Sequence, residues 1–374
     1  MTISIIGWYG TETLGDRAIL DGIFIVLSKA LKHFNIKIGS LYPFFTERTL
    51  FEDKDFLGKS VPIKQISIFD IKSDQCRYDA ISNSDVVIIG GGPLMDLEEL
   101  FLLKKAMLLA RHKGIPTIIM GCGLGPLNNR EYIDVVDEIL SLATKISFRD
   151  NFSKEKAKLL YGCKHQIECI GDPAIISIEN YKHQNTCNTS EKYVVINFRE
   201  YPKSQYGTVL QDAFECECEV VNLLSEKFDN ILLVPMHTFS IGGDDRYYLT
   251  KIANTLKHKN IKVQHEPINL KQLYEIYSNA YGCIGMRYHA VVMQTILNGN
   301  NCIFNYTGKR GKIRGFLEKI NGEEFYKDRE FDLKEEKKIS IESFVNKLER
   351  KEYFKYTYSH MIERYIRFID SCIN

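Results

Sequence analysis

The chain has almost no net charge. Its 374 residues include 49 lysines and arginines against 48 aspartates and glutamates, so the formal net charge is +1. Proteins that bind nucleic acid usually carry a basic excess, so this balance argues against a nucleic-acid partner. An anionic ligand would have to be held by cations placed locally in a site, because no overall positive field attracts it.

The chain also has no long apolar run. No stretch approaches the length that is needed to span a bilayer. The first eight residues lack the basic region of a secretory signal and read as a buried strand. We therefore expect a cytoplasmic protein.

Metal-binding cysteine patterns are missing as well. The ten cysteines include no CxxC pair, and Cys216 and Cys218 stand two apart in a helical pattern, where they cannot share a face. Several other cysteines lie in apolar, strand-like segments. The sequence therefore predicts reduced thiols, no disulfide and no metal site.

What the chain does contain is an alternation of short apolar runs and longer amphipathic stretches. Continuous apolar strands separated by helices are typical of a parallel sheet that is covered on both faces. The alternation stops at the polar stretch 180–192, which has no periodicity and is interpreted as an irregular linker, and then starts again. The sequence therefore predicts an α/β protein with two doubly wound, Rossmann-like domains, residues 1–178 and 190–340, followed by a helical tail, residues 341–374. Ligands of such sheets bind beyond the carboxyl ends of the strands, so we expect the two domains to face each other across a cleft.

A glycine-rich turn follows the first predicted strand. Gly10 and Gly15 stand in it, and Asp16 begins the next helix. Free amides at a helix N-terminus suit an anionic or polar ligand, which makes Gly10 and Asp16 candidate substrate-binding residues. The spacing matches neither the dinucleotide-binding glycine motif nor the Walker loop, and an equally good interpretation is that the glycines serve only the backbone.

Two further glycine-rich loops follow predicted strands of the same domain. Gly91 and Gly92 in the first and Gly123 in the second are candidate contacts for a bulky polar substrate. Asp96 follows the first loop, where it either caps the next helix or binds a substrate hydroxyl and takes part in acid–base catalysis. Arg149 and Asp150, after a later strand, either line the cleft or serve as a structural ion pair or a helix cap.

The strongest candidate site lies in the second half of the chain. Arg199 and Arg287 each stand where a predicted strand ends, and an arginine beside a buried strand end is costly unless it meets an anion. Two such arginines can hold a small dianion through its carboxylate and its phosphate. His289 is a candidate general acid or base, because histidine is the side chain most often used for proton transfer, and Tyr288 beside it is a candidate substrate contact.

Two more segments of this half carry polar candidates. His237 follows a predicted strand and is a candidate substrate contact, whereas Asp244 and Asp245 are interpreted as helix-starting residues. The segment 308–314 packs four cations into seven residues. It is either a solvated basic loop or a phosphate clamp for a nucleotide- or lipid-linked acceptor, with Lys312 as the candidate contact.

Six of these segments, in this order, resemble the motifs of the polysaccharide pyruvyl transferase family. They cover roughly residues 3–320. Trp8 and the segment 11–13 depart from the family's commoner opening. The matching residues are Tyr9-Gly10…Gly15-Asp16…Ala18, Gly90-Gly91-Gly92…Asp96, Gly121…Gly125-Pro126, Ser147-Phe148-Arg149-Asp150, Gly171-Asp172-Pro173-Ala174 and Gly285-Met286-Arg287-Tyr288-His289-Ala290.

The resemblance implies a two-domain fold like that of the B-type glycosyltransferases, with phosphoenolpyruvate as the donor. It implies that Arg199 and Arg287 hold the donor's anionic groups, with His289 and Asp96 nearby. The N-terminal domain would take the acceptor, a saccharide that is lipid- or nucleotide-linked. The expected reaction protonates the enol carbon, adds a sugar hydroxyl, expels phosphate and closes a ketal with a second hydroxyl. Whether His289 or Asp96 donates the proton is left open.

Two other functions stay open on the same residues. A nucleotide-sugar glycosyltransferase of this architecture would use the strand-end arginines to bind a diphosphate. A non-catalytic sugar-binding protein that has kept the fold would tolerate the loss of His289.

The last predicted helix, Glu352–Cys372, has an apolar stripe that must pack on something. It either docks back on the N-terminal domain or lies on a membrane surface, and its acidic residues favour docking. A membrane position would place the protein at the inner face of the cytoplasmic membrane.

Overall fold

The chain folds into two compact units. The structure, a computed structural model, describes residues 1–161, 166–185, 193–239, 243–335, 339–357 and 359–373. Unit 1 comprises Met1–Glu12, Asp16–Ser177 and Ser359–Asn374, and unit 2 comprises Thr13–Gly15 and Ile178–Tyr358. The first turn of the first helix is thus shared between the two.

Each unit is built on one sheet. The strands are β1 Thr2–Ile6, β2 Asn35–Ser40, β3 Ile66–Asp70, β4 Val86–Gly90, β5 Pro93–Leu94, β6 Thr117–Leu124, β7 Lys145–Phe148, β8 Ile167–Cys169, β9 Tyr193–Asn197, β10 Asn230–Leu233, β11 Ile261–Val263, β12 Gly282–Gly285, β13 Asn301–Asn305 and β14 Glu330–Asp332.

In unit 1 the strand order is β3-β2-β1-β4-β6-β7-β8, with β5 paired to β6, and every pairing is parallel. The central strand β4 is buried along its whole length. In unit 2 the order is β11-β10-β9-β12-β13-β14, again all parallel. The expectation of two parallel α/β sheets is confirmed. The physical reason is that strands which are apolar along their whole length can be buried only when helices cover both faces of the sheet.

Helices separate the strands and flank both sheets. They are α1 Leu14–Ala30, α2 Pro43–Glu52, α3 Lys54–Ser60, α4 Asp74–Ser82, α5 Leu100–His112, α6 Arg130–Leu142, α7 Asn151–Tyr161, α8 Ala174–Gln184, α9 Lys203–Tyr206, α10 Ala213–Lys227, α11 Asp245–Leu256, α12 Leu270–Asn279, α13 Tyr288–Leu297, α14 Lys312–Lys319, α15 Glu323–Tyr326, α16 Ile341–Glu349 and α17 Met361–Ile373, and a 3-10 turn spans Ile63–Gln65.

The polar stretch 180–192 is helical where it begins. Its first five residues continue α8, and residues 186–192 lie outside the described residues. The expectation of irregular structure is wrong for the first part because Tyr181 is buried, with its ring edge-on to Tyr274 at 5.2 Å. This tertiary contact stabilises a helix that the polar composition of the segment does not predict.

The C-terminal tail divides between the units. α16 packs beside α10 in unit 2, whereas α17 belongs to unit 1. Arg364 of α17 donates a hydrogen bond to the backbone oxygen of Cys169 at 2.9 Å, and Tyr365 donates one to that of Gly171. The apolar stripe of α17 is therefore buried within unit 1: Tyr365, Phe368 and Ile369 are at most 2% exposed.

None of the cysteines that the structure describes forms a disulfide, and Cys163 and Cys187 lie outside the described residues. Among the described residues, no helix is both long and apolar enough to span a bilayer.

Candidate functional site

The two strand-end arginines come together in unit 2. β9 and β12 are neighbours in the centre of the sheet, with Gly285 in register with Asn197. Arg199 follows β9 and Arg287 follows β12, so both lie at the carboxyl edge. Asn197 fixes the second of them, because its side-chain oxygen accepts the backbone N–H of Arg287 at 3.1 Å.

Arg287 is oriented by a buried carboxylate. Its Nε and Nη2 donate to the two oxygens of Asp245 at 2.7 and 2.5 Å. Asp245 is 3% exposed, and one of its oxygens also accepts the backbone N–H groups of Met236 and His237, each at 3.1 Å. A carboxylate held at so many points fixes the plane of the guanidinium that it binds.

The charges of three cations act on one buried phenol. Tyr306, 1% exposed, follows β13 directly, and the Nζ of Lys312 lies 5.7 Å from its ring centroid. Burial alone would raise the pKa of Tyr306, but the charges of Lys312, Arg199 and Arg287 outweigh it and lower the pKa to about 8. Burial, and then the charge of Arg287, lower the pKa of Arg199. Neighbouring positive charge contributes to both shifts, and an anionic ligand would relieve that charge.

A cavity of about 640 Å³ opens beside this cluster within unit 2. Its lining includes Arg199, Arg287, Asp245, Tyr201, Tyr248 and Lys251. The volume is in the range of small-molecule sites, about 300–1,000 Å³. The cavity therefore gives an anion access to both strand-end arginines.

His289 lies against the start of the first helix. A side chain at Gly15, whose backbone belongs to the same unit, would collide with the imidazole. Tyr288 is buried, with its ring edge-on to His289 at 5.0 Å and to Phe316 at 6.3 Å. Gly15 thus makes room for the imidazole, and Tyr288 packs beside it.

His237 is part of the same neighbourhood. It is 5% exposed, and its backbone forms an isolated antiparallel bridge with Thr13. Next to it, the oxygen of Met236 accepts the backbone N–H of Leu14 at 3.1 Å. The segment 13–15 is thereby fixed to the sheet edge of unit 2.

The glycines of unit 1 mostly make room for other parts of the protein. Gly10 has φ +84°, and a side chain there would lie 2.7 Å from the Ser40 hydroxyl and the Tyr42 backbone. Gly91 has φ +109°, and Gly92, with φ +66°, lies under the indole of Trp8. These backbone conformations favour glycine. Backbone geometry and close packing are therefore enough to explain why glycine stands at positions 10 and 92.

Gly123 leaves space for a buried arginine. An added Cβ would lie 2.5 Å from Nη2 of Arg149. Arg149 is 3% exposed and is within 3.6 Å of Asp150 and 3.5 Å of Asp172. The structural ion pair foreseen for Arg149 is present.

Asp96 joins two loops of unit 1 and does not cap the next helix, which begins only at Leu100 with Glu99 as its cap position. One of its oxygens accepts the backbone N–H groups of Asn128 and Asn129 at 2.8 and 3.2 Å. The other, Oδ1, is buried with no hydrogen-bond partner, so it can accept a further donor. Asp16 is 9% exposed and lies in the first turn of α1. Burial raises the pKa of the nearby Tyr9 phenol, and the negative charge of Asp16 raises it further.

Sequence reasoning missed two residues of the unit 2 site. Asp245 was interpretable only as a helix starter, because its partner Arg287 is distant in sequence. Tyr306 reads as the end of an apolar strand. The one available signal was the cation-rich segment after Tyr306, which contains Lys312. Within the described residues, no group of three or more His, Cys, Asp or Glu is placed to hold a metal ion.

Solved structures with the same fold include several enzymes of nucleotide-sugar chemistry. UDP-GlcNAc 2-epimerase from Methanocaldococcus jannaschii is similar with a TM-score of 0.62 and 14% identity, over 99% of this chain and 100% of that one. The UDP-GlcNAc-bound 2-epimerase from Neisseria meningitidis gives 0.53 and 10%, over 100% and 99%. A glycosyltransferase from Rickettsia africae gives 0.53 and 12%, over 100% and 93%. Identities this low show the fold alone, which is like that of the B-type glycosyltransferases.

A search of curated proteins by sequence found no significant match. The profile of the family described as "Polysaccharide pyruvyl transferase" matches residues 14–307, a stretch that begins at the first turn of α1 and ends just after Tyr306. The chain therefore belongs to the polysaccharide pyruvyl transferase family.

Proposed function

We propose that this protein transfers the pyruvyl group of phosphoenolpyruvate to a pair of hydroxyls on a saccharide acceptor and forms a ketal. The observation that carries the proposal is that Arg199 and Arg287 line one cavity of unit 2. Lys312 lies close by, with its Nζ 5.7 Å from the ring centroid of Tyr306. Phosphoenolpyruvate presents a carboxylate and a phosphate on a three-carbon frame, and guanidinium groups bind both by paired hydrogen bonds.

The roles in the reaction follow from charge and orientation. Arg287, already aligned by Asp245, binds one anionic group of the donor, and Arg199 with Lys312 binds the other and stabilises the phosphate as it leaves. A proton adds to the enol carbon, a sugar hydroxyl attacks the resulting cation, phosphate departs, and the second hydroxyl closes the ketal. His289 and Asp96 are the candidate proton-transfer residues, with Asp96 offering the unpartnered Oδ1.

The acceptor is assigned to the loops of unit 1. The strand ends where an acceptor would bind are bordered by Gly91, Gly92 and Gly123, by Gly10 in the loop after β1 and by Asp16 in the first turn of α1. His237 and Tyr288 support the unit 2 site. In this proposal phosphoenolpyruvate is a substrate, no resident cofactor takes part, and the reaction takes place in the cytoplasm, at the inner face of the membrane if the saccharide is lipid-linked.

A second function has one observation in its favour. The epimerase from Methanocaldococcus jannaschii, which has the same fold, has been solved in complex with UDP-GlcNAc and UDP. The cluster of Arg199, Arg287 and Lys312 suits a diphosphate as well as phosphoenolpyruvate. A UDP-sugar-dependent activity is therefore the competing proposal.

Ligand-induced stabilisation separates the two. A ligand that binds only the folded protein raises its melting temperature by mass action. Phosphoenolpyruvate should raise the melting temperature of the full chain, and UDP-GlcNAc and UDP at the same concentrations should not. The reverse pattern would replace the pyruvyl transfer proposal with the nucleotide-sugar one. Arg287→Ala should remove the shift. The ligand-free variant should stay folded but melt at a lower temperature, because the buried Asp245 loses its partner.

A further inference from the structure

Helix α2 of unit 1 carries two exposed phenylalanines. Phe44 is 70% exposed and Phe51 is 74% exposed. They are seven residues apart, two turns of the helix, and so share one face. Tyr42, just before the helix, is 40% exposed, and the ring of Phe45 links it to Phe44, with centroid distances of 6.3 and 5.5 Å. Exposed apolar side chains that cluster in this way mark an interaction surface.

The opposite face of α2 fixes this exposure. Thr46, Thr49 and Leu50 are buried. Glu52, at the end of the helix, pairs with Arg17 of α1 at 2.9 Å and with Arg48 at 2.6 Å. A helix fastened by buried residues and by a network of ion pairs cannot rotate to turn its phenylalanines inward.

Lysines stand directly beside these aromatic rings. The Nζ of Lys54 lies 5.6 Å from the ring centroid of Phe51, and that of Lys72 lies 3.6 Å from that of Tyr42. Lys59 and Lys64 are exposed on α3 and on the 3-10 turn that follow, and Ile63 beside Lys64 is 40% exposed. Of the exposed charged side chains between residues 42 and 72, four are lysines and two, Glu47 and Asp55, are acidic. The surface thus combines apolar rings with positive charge.

We propose that this aromatic–lysine surface, consisting of Tyr42, Phe44, Phe51, Lys54 and Lys72, binds an anionic lipid bilayer. The phenylalanine rings enter the boundary between headgroups and acyl chains, and the lysines lie at the level of the lipid phosphates. Lysines beside exposed aromatic rings favour a bilayer over a second protein as the partner, because the cores of protein–protein interfaces are depleted in lysine.

This assignment moves the membrane contact away from the last helix. The sequence left open whether the apolar stripe of the last helix lies on a membrane. In the structure this stripe of α17 is buried within unit 1, with Tyr365 and Ile369 at 0% exposure. The aromatic–lysine surface is available in its place. The membrane proposal rests on the proposed function, because a lipid-linked acceptor would be confined to the membrane and the enzyme would have to bind there to reach it.

Vesicle flotation of the full chain tests the proposal. Wild-type protein should float with vesicles of equal parts phosphatidylglycerol and phosphatidylcholine, and much less with phosphatidylcholine alone. The double variant F44S/F51S should lose at least tenfold in the bound-to-free ratio, and so should K54E/K72E. The control Leu159→Ser removes an apolar side chain that is 81% exposed on α7 of the same unit, and it should float like the wild type.

Two results would overturn the proposal. One is equal flotation of wild type and F44S/F51S. The other is a dimer, detected by light scattering, that F44S/F51S converts to monomer, since that would make the surface an interface between copies. The phosphoenolpyruvate-induced rise in melting temperature, measured on the same variants, should be unchanged. Flotation by the wild type without any such rise would leave the membrane surface standing and remove the proposed donor.

Discussion

Arg287 and Asp245 form a two-point ion pair, in which Nε and Nη2 of the arginine reach the two carboxylate oxygens at 2.7 and 2.5 Å. The two residues lie at the starts of different helices of unit 2: Arg287 is the N-cap residue of α13, and Asp245 is the first residue of α11. The pair places a fixed guanidinium at the edge of the sheet, beside Arg199.

Replacing Asp245 with asparagine should separate binding from turnover. The change removes the partner that orients Arg287, but it also removes a negative charge that repels the donor. We therefore expect kcat to fall roughly tenfold or more, and the KM for phosphoenolpyruvate to change far less. Steady-state kinetics of phosphate release would measure both.

The matched control is Asp244→Asn. Asp244 caps α11 and also lines the cavity, but it pairs with Arg246 at 2.6 Å and not with Arg287. Its loss should leave kcat within about twofold of wild type. Equal effects of the two substitutions would mean that the orientation of Arg287 does not matter.

Tyr306 should make donor binding depend on pH. Its pKa of about 8 lies below the usual value of 10, so in the ligand-free protein the phenol loses its proton as the pH rises through 8. The phenolate repels an anionic donor, and affinity for phosphoenolpyruvate should then fall, at most about tenfold per pH unit. Because the folded state favours the ionised phenol, this group's contribution to folding stability rises between about pH 8 and pH 10.

Calorimetric titrations with phosphoenolpyruvate at pH 7 and pH 9 would measure this effect. Tyr306→Phe should abolish the loss of affinity at the higher pH. Tyr326→Phe, a change at a buried tyrosine whose pKa is raised by burial, should keep it. A pH dependence that survives in Tyr306→Phe would assign the titration to another group.

Gly123→Ala should destabilise unit 1 through Arg149. The added methyl group would lie 2.5 Å from Nη2 and 2.8 Å from Cζ of this buried guanidinium, which is also held by Asp150 and Asp172. Overpacking of this kind costs about 1–3 kcal/mol. Urea denaturation followed by circular dichroism would measure the free energy of unfolding.

Gly58→Ala is the control for that measurement. Gly58 lies in α3, and its added Cβ would make only ordinary contact with Ile63 at 3.6 Å. Alanine is favoured over glycine in a helix by about 0.5–1 kcal/mol, so this variant should be slightly more stable than wild type. If Gly123→Ala were also stabilising, Arg149 would have room to move.

Sequence reasoning could place residues whose position depends on the order of strands. Arg199 and Arg287 follow β9 and β12, and in a parallel sheet every strand presents its carboxyl end at the same edge, so their meeting could be foreseen. The two parallel sheets follow in the same way from uninterrupted apolar strands.

What escaped prediction depends on tertiary contacts. Asp245 takes its role from an arginine 42 residues further along the chain, and no local pattern reveals that pairing. Phe44 and Phe51 look like core residues in a sequence, but the buried face and the ion pairs of α2 orient the helix so that both are exposed. Tyr181 turns part of an expected linker into helix through a ring contact with Tyr274.

The transfer reaction itself is the central claim. Purified protein should be incubated with phosphoenolpyruvate and a lipid-linked saccharide fraction, and inorganic phosphate release and the mass of the glycan should be followed together. The account predicts that wild type releases phosphate in step with the gain of one pyruvyl ketal. Arg287→Ala should lose about 2–4 kcal/mol of transition-state stabilisation and be nearly inactive. Full activity in a folded Arg287→Ala variant, or a glycan modified from UDP-GlcNAc with no use of phosphoenolpyruvate, would contradict the account.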